Sequence, residues 1–289
     1  MRRGKYDLDR QKRVAAIHDI SGFGKCSLTV ALPILSAAGI EASAIPTALL
    51  STHTGGLPGY TYCDLTGEML PIARHWKSLG LTFDAIYSGF LGSFEQISIV
   101  SQIMELLRGK DTLLMVDPVM ADNGKLYATY TPQMAAGMYR LCQKADVIVP
   151  NMTEAAFLLG EEFYDGPYER DYIEDILRRL SAMGPKITVL TGVWFSGDAL
   201  GAAGFDRETG KTAYAFSPRI QGAYPGTGDV FGSVLLAGLL CGQQLEEALC
   251  LAVDFTYRSI ERTRNSGTDI RFGVNFEAGL PKLMKDLNL

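Results

Sequence analysis

Gly226-Thr227-Gly228-Asp229 opens an apolar segment that runs to Cys241. The two glycines permit a tight turn that bares backbone N–H groups. The apolar run behind them predicts a long buried helix, so the turn falls on that helix's first residues. A helix's first turn carries free N–H donors and the positive end of the macrodipole, and both favour an anion. Asp229 stands in the same turn and has two readings. It is an ordinary helix cap, or it is an acid set beside an anion site. The motif alone does not separate them.

Upstream the chain alternates strands and helices. Arg13 to Asp19 predicts a buried strand, closed by the permissive turn Ser21-Gly22-Phe23-Gly24. Leu28, Ala31, Leu32 and Leu35 have helical spacing, with a kink expected at Pro33 and a stop at Gly39. A strand over 42–49 leads into Ser51 to Tyr60, a long polar, glycine-rich loop and candidate flap. Further strands are predicted at 85–88, 112–116, 147–149 and 186–190, with a hairpin at 198–205 and 211–216. Helices are predicted at 64–76, 95–108, 132–142, 151–160, 169–183, 229–241, 245–264 and 275–287. On the 95–108 helix, Ile99, Ile103, Leu106 and Leu107 form the expected inward stripe. Buried apolar strands joined by helices imply an α/β fold, with a doubly wound, mostly parallel sheet covered by helices on both faces. No repeat or linker interrupts it, so 1–289 reads as a single domain, with 1–12 expected to be flexible.

Composition excludes several classes. The 289 residues are 47% hydrophobic and 20% charged, an ordinary globular balance. A net charge of −5, with no basic block beyond Arg2-Arg3 and Lys12-Arg13, argues against a nucleic-acid surface. Five cysteines without a C-x-x-C pair, and three histidines, argue against zinc. Scattered cysteines and the lack of a signal-peptide core or membrane-length apolar run lead us to expect a cytoplasmic protein with no membrane partner.

The unusual polar residues gather at predicted strand ends, where open α/β sheets bind ligands. Asp19 closes the first strand and Thr47 lies late in the second. Asp117 follows the central strand, Asn151 and Glu154 the next, and Thr191-Gly192 another, while Asp229 opens the late helix. Each has a plain reading as a cap or turn residue, but acids converging on an anion-binding turn suggest a magnesium-assisted phosphate site. Magnesium takes oxygen ligands and bridges phosphates, which assigns Asp117 and Glu154 as metal-side acids, direct or through water. Phosphoryl transfer needs positioning, charge neutralisation and a proton acceptor. Backbone N–H groups of 226–228 and the Asp229 carboxylate would supply the last two. No Walker A motif, no G-x-G-x-x-G after the first strand and no H-R-D catalytic loop is present.

These residues resemble the ribokinase-like superfamily, and within it the vitamin B6 kinases. Four segments carry the resemblance over roughly 13–285: Ser88-Gly89-Phe90-Leu91-Gly92-Ser93, Asp117-Pro118-Val119-Met120, Pro150-Asn151 through Glu154, and Gly226-Thr227-Gly228-Asp229. The resemblance implies transfer of the ATP γ-phosphate to the 5′-hydroxymethyl group of pyridoxal, pyridoxine or pyridoxamine. Asp229 would be the base and Gly226, Thr227 and Gly228 the anion hole. Asn151, Glu154, Thr191, Gly192 and Thr227 would serve ATP and its phosphates, and Ser217 to Tyr224 would cover the nucleotide. Asp19, Ser21, Thr47, His53, Phe90 and Asp229 would line the substrate. ATP and Mg2+ are the implied cofactors and a homodimer the implied assembly.

Two positions depart from the B6 pattern. Asp19-Ile20-Ser21-Gly22 resembles instead the hydroxymethylpyrimidine kinases, which makes that heterocycle the alternative substrate. Val149 stands where the superfamily often has a threonine for a monovalent cation, so that ion stays open. A non-catalytic nucleotide- or B6-binding protein on the same fold is the remaining alternative.

Overall fold

The computed structural model describes residues 10–289, so most of the segment expected to be flexible lies outside the described residues. In chain order the elements are β1 (Arg13–Ser21), α1 (Leu28–Ala37), β2 (Glu41–Leu50), β3 (Tyr62–Asp64), α2 (Thr66–Ser78), β4 (Ala85–Ser88) and α3 (Phe94–Leu107). There follow β5 (Leu113–Val116), β6 (Ala121–Asp122), β7 (Lys125–Leu126), α4 (Pro132–Lys144), β8 (Val147–Ile148), α5 (Met152–Leu159) and α6 (Arg170–Ala182). The chain ends with β9 (Ile187–Val193), β10 (Ala199–Asp206), β11 (Lys211–Pro218), α7 (Thr227–Leu240), α8 (Leu245–Ser266) and α9 (Leu280–Asp286).

Nine strands form one sheet in the order β11-β10-β9-β8-β5-β4-β1-β2-β3. The six from β9 to β2 are parallel, and antiparallel strands extend both edges. Period-two alternation sends successive side chains into two separate cores. Ala15, Ile17, Ile86, Leu114 and Val116 pack with α2 to α6. Val14, Ala85, Tyr87 and Met115 pack with α1, α7, α8 and α9. The doubly wound, mostly parallel reading therefore holds. β2 and β4 flank β1 on opposite sides, reached by helices on opposite faces. The crevice over the carboxyl ends of β1 and β4 is thus a topological switch point.

Several expectations need correction. Tyr62–Asp64 is a short strand paired back onto Ala48–Leu50, and 121–126 forms a two-stranded hairpin. Both are too short to show a period. The buried stripe of α3 is Gln96, Ile97, Val100, Ile103, Met104 and Leu107, so Ile99 and Leu106 only flank the core. The last helix starts at Leu280, which places Pro281 in the first turn, where its missing N–H costs no intrahelical bond. Ser217 and Pro218 belong to β11, so the segment between that strand and α7 is shorter than expected.

Candidate active site

The N-terminus of α7 has no side-chain cap. Its N-cap is Gly226 at φ 78°, and the first intrahelical bond runs from Val230 N to Gly226 O at 3.0 Å. The N–H groups of Thr227, Gly228 and Asp229 precede that bond and have no intrahelical acceptor. The Thr227 hydroxyl donates to Tyr224 O at 3.0 Å and ties down the incoming chain. Asp229 is not the cap. Its Oδ2 accepts from Ser27 N at 2.8 Å, across 202 residues of chain, and its side chain stays 15% exposed. Burial pushes its carboxyl up to about 7, against the lowering effect of the Ser27 N–H and with a further upward push from Asp19. A carboxyl poised near neutrality suits proton transfer.

Ser27 has no role in the sequence reading, yet it joins two acids. Its hydroxyl donates to Asp19 Oδ1 at 2.5 Å, while Ser21 donates to Asp19 Oδ2 at 2.9 Å. It occupies the N-cap position of α1 but makes no side-chain cap bond, and its φ is 57°, unusual for a residue with a side chain. Asp19 is 5% exposed, and burial raises its carboxyl despite the two hydroxyls. The sheet register between β1 and β2 shifts between His18 and Ile20, an irregularity that falls on Asp19.

His53 lies beside this loop. Its Nδ1 accepts from Gly55 N at 3.0 Å, so its Nε2 donates to Arg271 O at 2.6 Å. Both ring nitrogens are thus engaged within the chain and fasten the 51–60 loop. A Cβ at Gly24, φ 102°, would sit 2.4 Å from the His53 ring, so this close approach needs glycine. Thr47 is buried, and its carbonyl accepts from Gln96 Nε2 at 3.0 Å. Phe90, just after β4, is half-buried and packs at 6.2 Å from the Tyr130 ring.

Asp117, directly after β5, is 6% exposed and makes no side-chain hydrogen bond among the described residues. Burial, then Glu154, then Asp229 push its carboxyl well above the usual range. Glu154 is committed to the backbone. It accepts from Asn151 N at 2.9 Å and Met120 N at 3.1 Å, and completes a capping box with Asn151. Burial still raises it to about 8. Asn151 accepts from Glu154 N and donates to Ala121 O, both at 2.9 Å, so both ends of its side chain are used within the chain. Among the described residues no three His, Cys, Asp or Glu side chains form a metal cluster. The Asp117 carboxylate, which makes no hydrogen bond among the described residues, fits a magnesium ion that takes its other ligands from water and phosphates. Thr191 lies beside Asn151 through Thr191 N→Pro150 O at 3.0 Å. Gly192, φ 74°, forms a bulge where the β9–β10 register shifts.

A family model described as phosphomethylpyrimidine kinase matches residues 35–273. The chain belongs to the phosphomethylpyrimidine kinase family. Within this family it is 29% identical to the pyridoxine/pyridoxal/pyridoxamine kinase of Bordetella avium, over 84% of this chain and 82% of that one. The crystal structure of Lactobacillus plantarum pyridoxal kinase superposes with a TM-score of 0.87 at 34% identity, covering 95% of this chain and 97% of its own. A Bacteroides thetaiotaomicron protein provisionally named a phosphomethylpyrimidine kinase, crystallised with pyridoxal, reaches 0.89 at 39%, covering 97% and 96%. The sheet is thus the ribokinase-like fold of these kinases, and ATP is the expected phosphate donor of a kinase of this family.

In this family member the buried Asp117 and Glu154 and the partly buried Asp229 have a consequence for stability. Burial pushes Asp229 up to about 7 from an ordinary 3.8, and raises Glu154 and Asp117 well above the usual carboxylate range. The folded chain therefore keeps protons that the unfolded chain has released, so stability falls as pH rises through that window. The Tm is expected to be higher at about pH 6 than at about pH 8.5, with Mg2+-ATP narrowing the gap by replacing the protons. Calorimetry that finds Tm flat or rising over this range would contradict the burial of these acids.

Proposed function

We propose that the chain is an ATP-dependent kinase that phosphorylates the 5′-hydroxymethyl group of pyridoxal, pyridoxine and pyridoxamine. One observation carries the reaction type. The uncapped start of α7 holds Asp229 beside three free N–H groups and opposite Asp117, whose Oδ2 is 4.0 Å from where a Cβ on Gly228 would be. In the reaction the hydroxymethyl oxygen bonds to the γ-phosphorus, the bond from that phosphorus to the β-phosphate oxygen breaks, and ADP leaves. Asp229 accepts the hydroxyl proton. The N–H groups of 227–229 hold the charge on the transferred group. Asp117, with Glu154 behind it, would hold Mg2+, which when bound neutralises charge on the phosphates. Thr191 and Gly192 serve the nucleotide phosphates, and Asn151 supports them through the α5 cap. Asp19, Ser21, Thr47 and Phe90 line the heterocycle. The working unit on this reading is a cytoplasmic homodimer of single-domain chains.

The substrate assignment is supported by the pyridoxal in the Bacteroides neighbour and by the names of the Bordetella and Lactobacillus relatives. The family description and the Asp19-Ile20-Ser21-Gly22 run favour a second reading, a hydroxymethylpyrimidine kinase. A coupled ADP-release assay with the three vitamers and hydroxymethylpyrimidine separates them. ADP formation dependent on a vitamer is the expected result. Release with hydroxymethylpyrimidine alone selects the second reading, and release with none leaves a binding protein.

A further inference from the structure

His18, in β1, lies against Asp229 at the start of α7. It points to the α7 face of β1 and is 0% exposed. Neither Nδ1 nor Nε2 has a hydrogen-bond partner among the described residues. Buried ring nitrogens nearly always have one. The Asp229 carboxylate approaches them, with Oδ1 3.9 Å from Nδ1. Burial depresses the imidazole to about 3, so the ring is neutral and the contact is not an ion pair.

The surroundings are built to admit this ring. A Cβ on Gly89 would lie 2.3 Å from His18 Nδ1, so the turn after β4 is open only because it has no side chain there. Tyr87 meets the imidazole edge-on at 4.4 Å between ring centroids. A Cβ on Gly232 would in turn lie 2.5 Å from the Tyr87 hydroxyl. Two backbone positions, one on each side, are thus emptied to fit a polar pair beneath the start of α7.

We propose that His18 is a positioning residue for Asp229, its Nδ1–H donating to Oδ1 in the reacting complex. Bonds of this kind are often long in the empty protein and tighten when substrate binds. Oδ2 is already held by Ser27 N at 2.8 Å. With Oδ1 held as well, the carboxylate plane is fixed and its remaining lone pairs face the substrate hydroxyl. The proton from that hydroxyl still goes to Asp229, while His18 neither gains nor loses one. Donation to Oδ1 requires the tautomer that carries its proton on Nδ1.

The inference rests on Asp229 being the base, so the test varies both residues. Steady-state kinetics with ATP and pyridoxal would compare His18→Leu, His18→Asn and His18→Gln, each alone and with Asp229→Asn. His18→Leu is expected to lower kcat about tenfold with little change in either KM, the scale of a lost hydrogen bond to a charged group. His18→Asn puts an amide N–H where Nδ1 was and retains most of the turnover. His18→Gln reaches toward Nε2 instead and does not. In the Asp229→Asn background His18→Leu costs nothing more, because the two act as one unit. If the leucine variant does not fold, the Asn–Gln comparison still decides. Parent-like kcat in His18→Leu, equal loss in the two amide variants, or additive losses in the double variant would each overturn the inference. Normal turnover by Asp229→Asn alone would instead remove the base reading on which it stands.

Discussion

Asp229→Asn is expected to lower kcat by about a hundredfold or more, the scale of a lost general base, while KM for ATP changes little. The amide is nearly isosteric, and its oxygen can still accept from Ser27 N, the 2.8 Å bond that holds the side chain in place. What disappears is the ability to accept a proton. The same change removes a carboxyl whose burial pushes it up to about 7. Above that pH the parent bears a buried charge that the variant lacks, so the variant is expected to be more stable than the parent at about pH 8. Loss of turnover with a gain in Tm marks a residue kept for chemistry and not for folding. The parent should also lose kcat/KM as pH falls through about 7, because the base must be ionised, and the variant's residual rate should lack that limb. Near-normal turnover in Asp229→Asn would return the residue to a structural role.

The sequence carried the sheet but only part of the site. Strands are legible because short apolar runs are local: 85–88 is recognisable from four residues, and Asp117 and Asn151 follow such runs, whereas β9 continues past the expected 190 to Val193 and takes in Thr191. Cap and base are not separable in this way, because the distinction depends on which N–H the Asp229 carboxylate meets. That donor is Ser27, 202 residues earlier. Nothing in the glycine turn before Ser27 marks that residue as a partner of Asp229. His18 was absorbed into an apolar strand, since nothing in Arg13 to Asp19 says that its ring will face α7. For His53, likewise, nothing local says that tertiary folding uses both its nitrogens to fasten Gly55 and Arg271.

Gly226→Ala should be as damaging as loss of the base, for a steric reason that neighbouring Gly228 does not share. Gly226 sits at φ 78°, where a side chain is strained, and a Cβ there would lie 2.1 Å from Lys25 O and 3.3 Å from Cys26 Sγ. The Lys25 carbonyl cannot simply retreat. Lys25 Nζ is bonded to Asn275 Oδ1 at 2.9 Å and Glu277 Oε2 at 3.0 Å, and the next residue but one, Ser27, holds Asp229 and Asp19. Accommodating one methyl group therefore moves the loop that orients both acids, or unwinds the N–H groups at the start of α7. We expect Gly226→Ala to lower kcat about a hundredfold, the scale of a damaged anion hole, and to cost on the order of 1–3 kcal/mol of stability. Gly228 has no left-handed φ, and its added Cβ would meet only Asp117 Oδ2 at 4.0 Å. Alanine there should keep the fold at parent stability, since helical Gly→Ala is neutral or favourable. Paired melting curves and initial rates for the two variants test the argument. Equal Tm for both, with parent-like turnover in Gly226→Ala, would mean that the approach of Lys25 to Gly226 does not hold the site together.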